Sequence, residues 1–148
     1  MPTAATLDET DLAIVAALVD DGRLSVNELA NRVNVSRATA YSRLDRLRAG
    51  GVITGFTAVV DQARLGLPLA ALLLLNVDQH RWRELSEELR RIPGFEYLAL
   101  TSGEFDMVLL VRVPDIAALR DVVLVKLTSL PEIRTTRTIF VLDEVGRR

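Results

Sequence analysis

The spacing of apolar residues changes character partway along the chain. From Leu7 to Leu47 they recur at helical intervals, as expected for helices buried on one side. From Leu69 onward, near-continuous apolar runs alternate with helical stripes, which predicts strands and helices sharing one sheet. Asp8 reads as an N-cap, with Leu7 placed to staple onto Leu12. The helix it opens runs to about Val19 and is expected to bury Leu12, Val15, Leu18 and Val19. Asp20-Asp21-Gly22 stops it. Ser25 and Glu28 form a capping box for a second helix, Ser25 to about Val33, with Leu24 and Leu29 as its staple. Asn34 falls at a sharp turn, and Asn tolerates the left-handed conformation better than most residues. Ser36 caps a third helix that continues to about Arg48. Its buried stripe is Ala40, Leu44 and Leu47, and Gly50-Gly51 closes it.

Val52 to Val60 reads as a strand. The turn-rich segment Asp61 to Pro68 follows. The organisation expected is residues 1–61 as a helix-turn-helix domain with its following strand, 62–68 as a linker, and 69–148 as a second domain.

In that second half Leu69 to Val77 predicts a buried strand. Trp82, Leu85, Leu89 and Ile92 form a helical face stopped by Pro93-Gly94. Phe95 to Thr101 and Phe105 to Val113 predict two strands around a short Ser102-Gly103 turn. Asp115 caps a helix carrying Ile116, Leu119, Val123, Leu127 and Leu130, and Ile133 to Leu142 is the last strand. The order βαββαβ is ferredoxin-like. The whole is an α+β chain: an N-terminal winged-type helix-turn-helix, then a C-terminal βαββαβ domain. Both helices of such a unit lie on one face of the sheet. Leu69 to Val77 and Met107 to Val111 are nevertheless apolar on both faces, so a second copy of the chain is expected to cover the other face.

Composition narrows the chemistry. The chain has 148 residues and a net charge of −2, so any nucleic-acid contact must come from local clustering. Arg supplies every basic residue except Lys126, and there is no cysteine for disulfides or thiolate metal sites. Met1 to Thr6 lacks the pattern of a secretory signal, and the longest apolar stretch, Leu67 to Leu75, is too short to span a bilayer. The expectation is a cytoplasmic protein without a membrane partner. His80 is the only histidine and no second His and no thiol lies near it in sequence, so no metal site and no catalytic residues are expected. Trp82 is read as part of its helix's buried or interfacial face. P-loop, GxSxG and GxGxxG motifs are absent.

The local cluster lies on the third helix. Opposite its buried stripe are Ala38, Tyr41, Ser42, Asp45 and Ala49, flanked by Thr39 and Arg46 on one side and Arg37 on the other. Arg43 lies nearer the buried stripe, where it either braces the domain or reaches a phosphate. Ser36 to Gly50 holds Arg37, Arg43, Arg46 and Arg48 against the single acid Asp45. A guanidinium can bind a phosphate or the O6/N7 edge of guanine with two hydrogen bonds, and small residues let the helix backbone approach base edges. The helix N-terminus at Ser36 and Arg37 favours a phosphate oxygen. Double-stranded DNA is the expected partner, through Ser36, Arg37, Ala38, Thr39, Tyr41, Ser42, Arg43 and Arg46.

The stretch from Leu7-Asp8 and Asp11 through Asp21-Gly22-Arg23-Leu24-Ser25, Glu28-Leu29-Ala30, Ser36, Arg43, Leu47 and Gly51-Val52-Ile53 to Gly55-Phe56 resembles the DNA-binding half of the Lrp/AsnC, or feast/famine, regulators. Leu65-Gly66, the TSGEFD segment Thr101–Asp106 and Arg137-Thr138-Ile139 extend the resemblance over about residues 7–145. Asn34 stands where many relatives have Gly, and Ala40 where they often have a larger residue. The resemblance implies a transcription regulator that binds paired half-sites as a homodimer, assembles into octamers or related discs, and holds a small effector, typically an amino acid, between subunits. No cofactor beyond that effector is implied. Thr101, Ser102, Gly103, Glu104 and Asp106 are then the candidate effector residues. Gly103 permits positive φ and close ligand approach, backbone N–H groups at Ser102 to Glu104 suit a carboxylate, and Glu104 or Asp106 suits an α-ammonium. A plain turn with solvated acids is the alternative. Three other functional readings stay open at this stage: a siroheme-decarboxylase-like enzyme on the same scaffold, a regulator that has lost its effector response, and a helix-turn-helix kept only for assembly.

Overall fold

The computed structural model describes residues 6–144, folded as two compact units that meet at Ala58–Val59. The first unit holds three helices: α1 (Glu9–Asp20), α2 (Val26–Arg32) and α3 (Arg37–Ala49). Each start follows its capping chemistry. The Asp8 and Asp11 side chains exchange hydrogen bonds with each other's backbone N–H, at 2.9 and 3.2 Å. Ser25 and Glu28 do the same for α2. The Ser36 hydroxyl accepts from the Thr39 N–H at 3.1 Å. Asn34 has φ 55°, so it supplies the left-handed turn between α2 and α3.

Helix α3 ends in a Schellman arrangement. Gly51 takes φ 71° and donates to the Arg48 carbonyl at 3.1 Å, while the Val52 N–H reaches back to the Leu47 carbonyl at 2.9 Å.

The core of this unit differs from the expected stripe on α1. Ile14 and Ala17 are buried with Leu29 and Leu47, and Val15 and Leu18 pack against them. Leu12 and Val19 are instead 55% and 61% exposed, so Leu7 packs into the core without a Leu12 staple. The cause is Asp11: it is fully buried, which rotates the 11–14–18 stripe inward and turns 12 and 19 outward.

The strand expected over Val52–Val60 does not form. The segment has no ladder partner among the described residues, and Val52, Phe56, Val59 and Val60 are exposed. A strand's backbone groups need a neighbouring strand, which an apolar pattern by itself does not supply.

The second unit is a four-stranded antiparallel sheet in the order β2-β3-β1-β4, from β1 (Leu69–Val77), β2 (Phe95–Leu100), β3 (Met107–Val113) and β4 (Ile133–Val141). Helices α4 (Trp82–Leu89) and α5 (Ile116–Asp121) complete the βαββαβ order. Their side of the sheet is the core: Ala71, Leu73, Leu75 and Val77 of β1 and Met107, Leu109, Val111 and Val113 of β3 lie under Leu85, Leu89, Leu119, Val122 and Leu127. After α5 the chain makes a wide π turn, Val122–Lys126, then a 3-10 turn, Leu127–Ser129. The wide turn shifts the helical register, so Val122 is buried and Val123 only packs at its edge. Ile116, expected in the buried stripe, is 66% exposed at the first helical position.

The loop between β2 and β3 is longer than the two-residue turn expected. It spans residues 101–106, with the Thr101 N–H on the Asp106 carbonyl at 2.9 Å and the Thr101 hydroxyl on the Phe105 carbonyl at 2.6 Å. No helix among the described residues is long and apolar enough to cross a membrane.

Candidate functional site

The outer face of α3 carries the residues expected to meet DNA. Arg37, Ala38, Thr39, Tyr41, Ser42 and Arg46 are exposed, and Tyr41 is exposed although it is a large aromatic residue. Ala38, Thr39, Ser42, Arg43 and Arg46 line a groove of about 380 Å³. The Ser36 hydroxyl is occupied in capping: besides the Thr39 N–H it lies 2.8 Å from the Thr39 hydroxyl. Ser36 therefore orients the helix end, while its backbone and that of Arg37 remain at the N-terminus where the helix dipole attracts anions.

Arg43 braces α3 against α1 and also lines the groove. Its guanidinium pairs with Asp8 and, at 3.1 Å, with Asp11. Arg46 pairs with the other oxygen of Asp11, yet its side chain stays 58% exposed. One buried carboxylate thus ties α1 to two arginines of α3. Asp8 is held down at about 2, from an ordinary 3.8, chiefly by the hydrogen bond from Arg43 and then by the Asp11 N–H. Burial pushes Asp11 up, but the hydrogen bonds from Arg46, from the Asp8 N–H and from Arg43 outweigh it, and its net shift is downward. Arg43 is correspondingly raised by its bonds to Asp8 and Asp11. The sequence reading passed over Asp11 as a structural hub. The available signal was a carboxylate on the same helical stripe as Ile14 and Leu18.

In the second unit the five candidate effector residues separate into two groups. Thr101 and Asp106 line a cavity of about 330 Å³ together with Val77, Trp82 and Leu100. Asp106 also lines a second cavity of about 610 Å³ with Asn76, Val77, Asp78, His80, Arg134 and Thr135. Its carboxylate accepts the Val77 N–H at 2.9 Å and its own N–H donates to the Leu75 carbonyl at 3.0 Å, so it is fixed against β1. Ser102, Gly103 and Glu104 are exposed at the loop tip and line neither cavity. Gly103 takes φ +125°, a conformation that strains other residues, with open space around it. Glu104 is 3.5 Å from Arg137, whose guanidinium lies 5.3 Å from the Phe105 ring centroid. That contact draws the Glu104 carboxylate toward β4. Val77, Trp82, Leu100, Asn76, His80 and Arg134 were not among the candidates, because strand pairing and the β1–α4 turn bring them to Asp106 from distant parts of the sequence.

Residues 7–54 match the winged helix-turn-helix DNA-binding family, and residues 70–148 match the Lrp/AsnC ligand binding domain. The chain belongs to the Lrp/AsnC family. This Lrp/AsnC protein is 37% identical over 142 residues to a proline dehydrogenase transcriptional activator of Rhizobium radiobacter, covering 94% of this chain and 91% of that one. It is 32% identical to a leucine-responsive regulatory protein of Klebsiella pneumoniae, over 94% and 87% of the two chains. Among solved structures, a Neisseria meningitidis transcriptional regulator in complex with L-methionine superposes with a TM-score of 0.90 at 27% identity, covering 96% of this chain and 94% of that one. E. coli AsnC superposes with a TM-score of 0.87 at 25% identity, over 97% of each chain. The Lrp/AsnC protein is thus a DNA-binding transcription regulator with a ligand-binding half, and the enzyme alternative is not favoured.

Proposed function

We propose that this protein regulates transcription as a homodimer whose two α3 helices enter the major groove at paired half-sites, under control of an amino acid bound at the loop 101–106. Assembly of dimers into an octamer, and a cytoplasmic setting, belong to the same reading, as does regulation without catalysis. The observation that carries it is the face of α3. A cationic helix surface stands free of its own domain while two of its arginines are held from behind by Asp11. Such a helix presents a fixed face, as groove reading requires. Arg37 and Tyr41 then sit nearest base edges or phosphate, Ala38, Thr39 and Ser42 let the backbone approach, and Arg46 offers the groove whatever part of its guanidinium Asp11 leaves open. Effector binding acts through the arrangement of subunits. To do so it must favour one arrangement over another, since equal affinity for both shifts nothing.

The test is binding to the DNA upstream of the protein's own gene, in a salt series with and without mixed amino acids. Tight, sequence-selective binding with a steep salt dependence is expected, and Arg37→Ala should lower its affinity and flatten the salt slope by about one unit. The exposed position of Arg37 predicts an unchanged melting temperature. Absence of selective binding there and across the genome would overturn the reading.

A further inference from the structure

Asp45 is a carboxylate that the fold of the first unit does not use. The other acids of that unit each have a structural role. Asp8 and Asp11 hold Arg43 and Arg46, and Asp20 pairs with Arg32. Asp21 accepts the Arg23 N–H, and Glu28 closes the capping box of α2. Glu9 stands in the first turn of α1, where the helix dipole favours an acid. Asp45 is exposed in the second half of α3, and its side chain has no hydrogen-bond or ion-pair partner among the described residues. Its position on the helix is nevertheless specific. Opposite the buried Ala40 and Leu47, α3 presents Ala38, Ser42 and Ala49, all exposed and all small. Helical spacing puts Asp45 on this side, one turn from Ser42 and one turn from Ala49. Small neighbours let the backbone come close to a facing surface, so a side chain as short as Asp can reach it.

We propose that Asp45 is a specificity-determining residue: in each half-site its carboxylate accepts a hydrogen bond from the N4 amino group of one cytosine, and its charge rejects the other bases there. The inference rests on the reading that α3 enters the major groove, and it adds the residue and the base that select. An ionised carboxylate only accepts hydrogen bonds, and the phosphates that flank a groove repel it. It therefore needs a donor on a base edge. In the major groove guanine offers two acceptors, thymine an acceptor and a methyl group, and adenine an amino donor beside the N7 acceptor. Cytosine alone offers a donor with no acceptor on the same base. Asp45 thus lowers affinity for DNA in general and restores it at cytosine, so a repulsive element turns binding into selection. The arginines around it, Arg37, Arg46 and Arg48, supply the attraction to phosphate against which that repulsion acts.

The experiment is selection of bound duplexes from a random DNA pool by the full-length protein, by Asp45→Ala and by Asp45→Asn, followed by titrations on the selected site and its single-base variants. Wild type should require cytosine at one position, repeated in both half-sites. Changing that base pair alone should lower affinity about tenfold per half-site. Asp45→Ala should lose this preference, keep the rest of the site and bind unselected DNA more tightly. Asp45→Asn should move the preference to adenine, whose N6 and N7 an amide meets with two hydrogen bonds. Both variants should melt with wild type, because the side chain is exposed and holds nothing in the fold. A wild-type site with no required cytosine, or the same base preferences in all three proteins, would overturn the proposal. So would variants that melt earlier and lose preference at every position, which would make Asp45 a structural residue. Each of these results leaves groove reading by α3 intact. A wild-type site whose base preferences and affinity survive both Asp45→Ala and Arg37→Ala would overturn the entry of α3 into the groove itself.

Discussion

At the scale of single residues the decisive one is Asp11. A carboxylate with no exposed surface normally costs stability, and here two arginines and a backbone N–H compensate its charge. Those arginines belong to α3, so the charge that completes the N-terminal core also fixes the helix proposed to read DNA. Asp11→Asn keeps the shape but removes that charge. It should lower the melting temperature of the first unit by several degrees and weaken operator binding together, as thermal denaturation and a gel-shift series would report. Leaving both unchanged would show the brace to be dispensable. The same pairing sets a pH dependence. The folded pKa of Asp8 is depressed from 3.8 to about 2, so its contribution is fully present above 3.8 and is lost as pH falls through that interval. Asp11 is also shifted downward and adds in the same direction. Acid unfolding of the first unit, followed by circular dichroism, should begin below 3.8, and Asp8→Asn should flatten it.

Elements were legible where local chemistry decides them. The caps at Asp8, Ser25, Ser36 and Asp115, the left-handed Asn34 and the closing Gly51 each form within a few residues, and each stands where the sequence reading placed it. What failed depended on distant partners. Leu12 and Val19 face solvent because α3 draws Asp11 inward, and residues 52–60 lack a strand to pair with among the described residues. Of the five loop candidates Thr101 and Asp106 line cavities, whereas Trp82, His80 and Arg134 come near Asp106 only through strand pairing and the β1–α4 turn. Gly94 belongs to the same class of long-range constraint. Its carbonyl accepts the Arg112 N–H at 2.8 Å, its φ is +77°, and a Cβ there would fall 2.0 Å from the Arg112 carbonyl oxygen. Left-handed strain alone costs about 1–2 kcal/mol. With the backbone collision added, Gly94→Ala should lose about 2–4 kcal/mol in urea unfolding. A loss under about 1 kcal/mol would mean that β2 can move away from β3 at little cost.

For the whole molecule, the sheet poses the question of what covers its second face. The register places Leu72 beside Leu110 and Ile139, Leu74 beside Val108, and Tyr97 beside Leu110, all on the side opposite α4 and α5. Tyr97 and Ile139 are 54% and 43% exposed. Helices cover only one side, so this apolar array faces either water or another copy. A β-sheet face is self-complementary under a two-fold axis, which makes an isologous dimer the natural cover. Dimerisation through the second unit would then supply the paired α3 helices that half-site recognition needs. Leu110→Asp places a charge at the centre of the array without entering the helix-side core, so the monomer should still fold. Light scattering should find the wild type as a dimer or larger and the variant as a monomer, with circular dichroism unchanged. Operator affinity should fall by 10²-fold or more, because two linked half-site contacts become one. A variant that stays dimeric would assign the subunit contact to another surface, for which the exposed apolar segment Val52–Val60 is the next to test. A variant that is monomeric yet keeps full operator affinity would separate assembly from DNA reading, and with it the route by which an effector on the second unit reaches α3.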